Sequence, residues 1–378
     1  FRMSGYTIDN NTLWKKIKSI SAGKFLFYKN EDLFFCKEYF TFLPKEDFSL
    51  SYSEYQSILK TEIDKLIKSL IKTANGKTII IPLSAGLDSR LIASGLRHYD
   101  YNNVKCFSYG IRGNHESNAS KIIAKKLNYS WTFVEITHQK ASKFYKTKKY
   151  FDYITQSTDG CATSTIQGLF AIDILINNKF INKNDIIING NSGDFISGGH
   201  IPSNTPRVNI KKNEIEKKIN QIMLYHFDKH YSLWETLKNK KNKKIIKIEL
   251  IKQIKNKFKH KILPLYSVIE FLEYDNRQTK YVVNSQRIYD FYNIKWLLPL
   301  WNRSFIKFWE KVPMKYKVNQ KLYRDTLRKI NYADVWTDDF NFKFYLSPKW
   351  IIYVRFVFKL FFFFIGKKEG RVFEKKYL

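Results

Sequence analysis

Thr78-Ile79-Ile80-Ile81-Pro82-Leu83 runs without a break into Ser84-Ala85-Gly86-Leu87-Asp88-Ser89-Arg90, and then into Leu91-Ile92-Ala93-Ser94-Gly95-Leu96. No other stretch limits the fold as tightly. The apolar run reads as a buried strand. The small and hydroxyl residues predict a tight turn, and the second apolar run a helix. A helix entered from such a turn presents backbone N–H groups to whatever lies above it, so the stretch reads as an anion site. Ser84 and Ser89 add hydroxyl donors. Asp88 would repel a phosphate there unless a divalent cation bridges the two. The expectation is a nucleotide phosphate with Mg²⁺, held by a loop that is neither G-x-x-x-x-G-K-[ST] nor G-x-G-x-x-G.

The flanking segments agree with that placement. Ser51-x-x-Glu54 is a capping box, and Ile58, Leu59, Ile63, Leu66, Ile67, Leu70 and Ile71 follow at helical spacing. Asn75-Gly76 ends the helix. Beyond the central stretch, a strand over 104–109, a helix over 116–127, a strand over 131–136, a helix around 166–176 and a strand over 185–189 alternate. Alternation of this kind predicts an α/β fold with a doubly wound parallel sheet, whose ligands bind at the carboxyl ends of the strands. The 185–189 strand runs into Gly190-Asn191-Ser192-Gly193-Asp194-Phe195-Ile196-Ser197-Gly198-Gly199-His200. Glycines there permit close backbone approach, and Asp194 is placed to reach a metal.

The two ends of the chain read differently. Residues 1–48 hold two aromatic strands, Lys24 to Tyr28 and Asp32 to Cys36, joined by Lys29-Asn30-Glu31 as a hairpin. Two strands do not hold themselves together, so they read as the remnant of a larger β domain, or as an apron packed on the next one. Residues 205–262 read as a Lys-rich, solvated insertion, with the densest run, Lys238 to Lys247, in a polar connector. Leu265 to Tyr292, Phe305 to Val312 and Lys321 to Ile330 read as helical, followed by a C-terminal aromatic region over 336–378. Trp350 to Ile365 is almost wholly apolar but contains Arg355 and Lys359 and falls short of the ~20 residues of a spanning helix. A helix docked on the protein, or one lying in a lipid interface as a peripheral contact, is expected instead.

Net charge is +32, from 66 Lys and Arg against 34 Asp and Glu. Such an excess suits a polyanionic partner, but the lysines are scattered, which argues against a nucleic-acid surface. Three cysteines, Cys36, Cys106 and Cys161, are too few and too dispersed for a disulfide framework or a zinc site, and fit a reducing cytoplasm. No signal peptide is apparent. The chain begins at Phe1, in mid-pattern, and is expected to be a fragment.

Ser84-x-Gly86-x-Asp88-Ser89 resembles the pyrophosphate loop of the ATP pyrophosphatases, with Ala85 where Gly is more usual. Gly-x-x-Gly-Asp-x-x-x-Gly-Gly over 190–199 resembles the second signature of the asparagine synthetase family. Between them, Phe107-Ser108-Tyr109-Gly110, Glu116, Ala119 and Ile122 to Leu127 match the family's strand and helix beside the adenine. Pro299-Leu300 and Lys321-x-x-Arg324-x-x-x-Arg328 match its C-terminal part. The resemblance covers residues 75–335, within a synthetase-like domain over 49–335, and residues 17–40 resemble the end of the preceding glutaminase domain.

The resemblance implies an ATP-dependent ligase that adenylates a carboxylate, releases pyrophosphate, and lets ammonia or another amine displace AMP. It implies ATP and Mg²⁺ as cofactors, with the metal on Asp88 and Asp194. The nucleotide falls to Ser84, Ala85, Gly86, Leu87, Asp88, Ser89, Ser108, Gly190 and Gly193. Lys321 matches the catalytic cation, with Arg324 and Arg328 on the same helical face. Residue 1 is Phe rather than the Cys that a glutaminase uses, so ammonia is expected from elsewhere. Asn191 and Phe195 stand where asparagine-forming members carry acids, which leaves the substrate open between aspartate and a sugar acid. Ser-Ala-Gly-x-Asp-Ser-Arg and Tyr323-Arg324 resemble divergent members from bacterial surface-polysaccharide loci, in which Arg90, Arg277 and Arg287 are candidates for an anionic sugar. A homo-oligomer is compatible with this reading. Two alternatives stand beside it: a tRNA-modifying ATP pyrophosphatase, and a catalytically inactive scaffold of polysaccharide synthesis.

Overall fold

The computed structural model describes residues 1–29, 32–210, 214–258, 262–336 and 350–366. Its strands are β1 (Lys24–Lys29), β2 (Asp32–Glu38), β3 (Ile79–Pro82), β4 (Val104–Gly110), β5 (Ser130–Glu135), β6 (Ile186–Ile188), β7 (Asn209–Ile210), β8 (Leu263–Pro264) and β9 (Lys295–Leu297). Five of them form one sheet in the order β5-β4-β3-β6-β9, every neighbouring pair parallel. β3 is its central strand. Ile79 and Ile81 enter one core and Ile80 the other, and all three are fully buried. The expected α/β, doubly wound sheet is therefore present, with apolar layers on both faces.

Helices α1 (Tyr52–Ala74), α2 (Leu87–His98) and α3 (His115–Lys126) pack on the Ile79 and Ile81 side. The other face carries α4 (His138–Phe144), α5 (Lys148–Ser157) and α6 (Leu169–Asn177). The capping box of α1 is complete: Glu54 N–H donates to Ser51 Oγ at 3.3 Å, and Ser51 N–H to the Glu54 carboxylate at 2.7 Å. At its far end Asn75 adopts φ 49°, closing the helix in the left-handed conformation. Ser51→Ala is expected to lower the unfolding free energy by about 1 kcal/mol. The check is a shift of the urea midpoint at unchanged slope.

The chain continues through α7 (Gly193–Ile196), α8 (Ile215–His230), α9 (Lys240–Lys257), α10 (Leu265–Glu273), α11 (Arg287–Phe291), α12 (Arg303–Lys311), α13 (Met314–Lys317), α14 (Lys321–Ile330) and α15 (Trp350–Ile365). Phe305, Trp309, Leu322, Tyr323 and Leu327 of α12 and α14 close the core below β3. The stretch expected as a solvated insertion turns out otherwise. Ile215, Ile219, Ile222, Met223 and Phe227 of α8, with Ile246, Leu250 and Ile254 of α9, form a second apolar core against α10. The Lys238 to Lys247 run is thus mostly the first half of α9 and not a connector, Asn239 capping it at Asn242 N. Lysines surround the buried stripe of α9 and mask its periodicity.

β1 and β2 pair antiparallel as expected, although Asn30 and Glu31 of the linking turn lie outside the described residues. Met3 and Tyr6 join the second core, and Phe42 the first. The described part of the C-terminal region is α15 and Gly366. Among the described residues no helix is long and apolar enough to cross a membrane, and the three cysteines are unpaired.

Candidate active site

Two strand ends converge at the carboxyl edge of the sheet. β3 leads into α2 through Leu83–Gly86, with Gly86 as an N-cap that supplies no side-chain bond to the first turn. The loop is braced internally. Ser84 N–H donates to Ser89 Oγ at 3.1 Å, the two hydroxyls lie 3.1 Å apart, and Gly86 N–H donates to Ser84 Oγ at 3.1 Å. Ala85, the departure from the usual loop, has no positive φ, so its Cβ brings no backbone strain. Arg90 reaches back: its Nη2 donates to Ala85 O at 2.7 Å and its guanidinium lies over Trp336 at 4.9 Å.

β6 is the neighbour of β3 and delivers the second loop beside the first. Asn189 anchors its start through Gln286 Oε1 at 2.8 Å and Tyr289 Oη at 2.9 Å. Contact between the loops depends on glycine at two places. A Cβ on Gly190 would lie 2.7 Å from Ser89 N, and one on Gly193 2.4 Å from the Asp88 carboxyl carbon. Bare backbone there lets the two acids meet. Asp194 N–H donates to Asp88 Oδ2 at 2.9 Å, and Tyr323 Oη from α14 donates to Asp88 Oδ1 at 3.1 Å.

Electrostatics distinguish the pair. Burial, then the charge of Asp194, pushes the Asp88 carboxyl up to about 8. Burial acts on Asp194 in the same direction, but the hydrogen bond and charge of His200 prevail and hold it below the usual carboxylate range. Asp194 is 55 % exposed because it faces a cavity of about 650 Å³. The cavity is lined by Ser84 to Arg90, Asn189 to Ser192, Asp194, Arg277, Gln278, Gln320 and Arg324, with His115 and Glu116 at one side.

These two acids fit a hard divalent cation. They are oxygen ligands, adjacent and electrostatically frustrated, in a cradle that a Cβ would fill. Among the described residues no three His, Cys, Asp or Glu side chains converge as a metal cage. The remaining ligands would have to come from phosphate oxygens and water, as Mg²⁺ at a nucleotide commonly requires.

Of the residues expected from sequence, Ser84, Ala85, Gly86, Leu87, Asp88, Ser89, Gly190, Asp194 and Arg324 line the cavity. Gly193 lies directly behind the Asp88 carboxylate. Ser108 is buried one layer back, accepting from Ser120 Oγ at 3.1 Å. Lys321 is not brought to the cavity: its ammonium pairs with Asp325 at 2.7 Å and lies over the Tyr52 ring. Arg277 is at the cavity wall, whereas Arg287 bonds Ser157 O and Asp159 away from it. Asn191 lines the cavity, but Phe195 is fully buried against Phe42 and offers no polar group to a substrate.

Sequence reading passes over Tyr323 as a partner of Asp88, and over Gln278, Gln320 and Glu273. For Glu273 a signal existed, since Glu270 interrupts the mostly apolar Leu265–Leu272 stretch and Glu273 ends it, and acids are almost never fully buried unless paired. Arg277 and Gln278 lie in a π-helical segment, Tyr274–Val282, a rare form that is frequent at functional sites.

The family model described as asparagine synthase matches residues 74–333. No curated protein matches the chain. Among solved structures, the chain is similar to an NH3-dependent NAD synthetase from Campylobacter jejuni, solved with the nitrate ion. Identity is 15 %, over 63 % of this chain and 96 % of that one, at a TM-score of 0.28. A score this low supports no inference about the present chain.

Proposed function

The chain belongs to the asparagine synthase family, and from that premise we propose that it adenylates a carboxylate with ATP, releases pyrophosphate, and joins the acyl group to ammonia or another amine. The observation that carries this reading is the meeting of Asp88 and Asp194, from two different strand ends, beside the N-terminus of α2. Family membership supports an ATP-dependent amide-forming ligase; the individual steps and the substrates are our reading.

Each part of the cavity then has a task. First-turn N–H groups of α2 and the Ser84 and Ser89 hydroxyls receive phosphate oxygens. Asp88 and Asp194 would hold Mg²⁺, whose charge would stabilise pyrophosphate as a leaving group. Tyr323 keeps the Asp88 carboxylate turned toward Asp194. Arg324 faces the cavity one helical turn beyond Lys321 and takes the role of the cation opposite the α-phosphate. A carboxylate oxygen of the acceptor bonds to the α-phosphorus as the bond to pyrophosphate breaks. The amine nitrogen then bonds to the acyl carbon, loses a proton, and AMP leaves with the oxygen. Adenylation is needed because oxide is a poor leaving group. Arg277 places a second guanidinium in the same cavity, which favours an acidic acceptor, and the neutral Asn191 favours one other than aspartate.

A pyrophosphate-release screen over aspartate, glutamate and uronic acids, with ammonium present, tests the proposal. Release that depends on one carboxylate and yields AMP is the expected result. ADP and phosphate as products would sink it, and failure to bind Mg²⁺–ATP in calorimetry would favour the inactive scaffold. Gly193→Ala adds a sharper check. Its Cβ must displace the Asp88 carboxylate, and displacement by about 1 Å can cost on the order of 10²-fold in rate. Pyrophosphate exchange is expected to fall by that factor while the circular dichroism spectrum is retained.

A further inference from the structure

Glu273 is an acid that this mechanism does not use. It ends α10 with its side chain 1 % exposed, and four side chains converge on it. His200 Nδ1 hydrogen-bonds Oε1, His230 Nε2 reaches Oε2 at 3.1 Å, and Gln278 Nε2 and Arg277 Nη1 reach Oε1 at 3.1 and 3.4 Å. A carboxylate is buried at this depth only when its oxygens are satisfied. Here the donors come from three separate elements: the loop after α7, the end of α8, and the π-helical segment.

The other edge of the same His200 ring meets Asp194, which lines the cavity. Nε2 lies 3.0 Å from Asp194 Oδ2, and Asp194 Oδ1 accepts the Phe195 N–H at 2.8 Å. Both Asp194 oxygens are therefore held, and each keeps a lone pair for a cation. Without His200, only the Phe195 N–H would hold this carboxylate, which is 55 % exposed, and its χ2 is a torsion with a broad minimum. Ordering it would then be charged against cation binding.

We propose that His200, braced by Glu273 and through it by His230, is a positioning residue that fixes the Asp194 carboxylate in the orientation that binds a divalent cation with the nucleotide. The inference rests on the function proposed above. It makes α8 part of the site's support, since His230 connects to Asp194 through Glu273 and His200. Groups that orient ligands in this way typically alter metal affinity by about 10- to 100-fold when removed.

Mn²⁺ titration followed by electron paramagnetic resonance, on the full chain with an α,β-methylene ATP analogue, tests it without turnover. His200→Ala is expected to weaken Mn²⁺ binding by about 10- to 100-fold, and also to lower the cation-free thermal midpoint, because the buried Glu273 carboxylate loses a partner. His200→Gln, whose amide can still donate to Asp194, should recover part of the loss, and Glu273→Gln should weaken binding in the same direction. Equal Mn²⁺ affinity in His200→Ala and the unsubstituted chain overturns the positioning role while leaving the proposed function intact. No Mn²⁺ binding by the unsubstituted chain overturns the proposed function itself, and this inference with it. Should Glu273→Gln fail to fold, the ordering of unsubstituted chain, His200→Gln and His200→Ala still decides the matter.

Discussion

Asp88→Asn is expected to lower carboxylate-dependent ATP–pyrophosphate exchange by at least about 10³-fold, because removing roughly 4 kcal/mol of charge stabilisation slows a reaction by that factor. The substitution is nearly isosteric. Tyr323 Oη and Asp194 N–H, at 3.1 and 2.9 Å from the present carboxylate oxygens, would meet an amide in the same place, so the backbone has little reason to move. What disappears is an anionic oxygen donor that Mg²⁺ prefers. Binding without turnover separates the causes. Mg²⁺–ATP should raise the thermal midpoint of the unsubstituted protein, since a ligand that binds only the folded state stabilises it, and should raise that of the variant much less. Undiminished exchange would show that Asp88 does not hold the cation.

Lys317→Met is expected to cost about 3–5 kcal/mol of stability, the range for stranding one member of a buried ion pair. Lys317 Nζ lies 2.7 and 2.8 Å from the two Glu270 oxygens, with side-chain exposures of 0 % and 2 %. This pair fastens α13 to α10, directly ahead of the segment that carries Tyr323 and Arg324. Burial pushes Glu270 up to about 7 even with the Lys317 charge pulling it down. The sign of the pH dependence follows from this. A carboxyl whose folded value lies above its unfolded value of 4.5 contributes fully below pH 4.5, and that contribution is lost as pH rises through 7. Removing Lys317 raises the folded value further, so the deficit of the variant should be widest at pH 8 and narrower at pH 5.5. Urea denaturation at the two pH values measures it. Glu270→Leu combined with Lys317→Met should regain most of the loss, because an apolar pair of similar volume strands no charge. A constant deficit across pH would mean that Glu270 is not the stranded group.

Much of the frame follows from neighbours in sequence. The isoleucines of β3, the turn at Ser84 to Ser89, the capping box at Ser51 and Glu54, and the glycines around Asp194 are local patterns with local causes. They place two acids at two strand ends, and the parallel order of the sheet brings those ends together. Even the fate of Lys321 has a local signature, since Asp325 follows it at i+4, the spacing at which opposite charges pair on a helix. The Lys-rich region shows the limit of this reading. Its buried stripes on α8 and α9 are diluted by lysines on the remaining faces, so hydrophobic periodicity understates a core that needs only one face.

What the sequence by itself determined is therefore the α/β class, a buried strand at Ile79 to Ile81, the turn at Ser84 to Ser89 that leads from it into a helix, and the two acids at strand ends. Only the tertiary structure decided which cation reaches the cavity, that Tyr323 rather than solvent meets Asp88, and that His200 joins Asp194 to Glu273 and His230. The physical reason is separation along the chain. Tyr323 and Asp88 are 235 residues apart, and His200 and Glu273 are 73 apart. A contact of that kind depends on how distant elements pack and on the direction in which each side chain leaves its helix, neither of which a short pattern encodes.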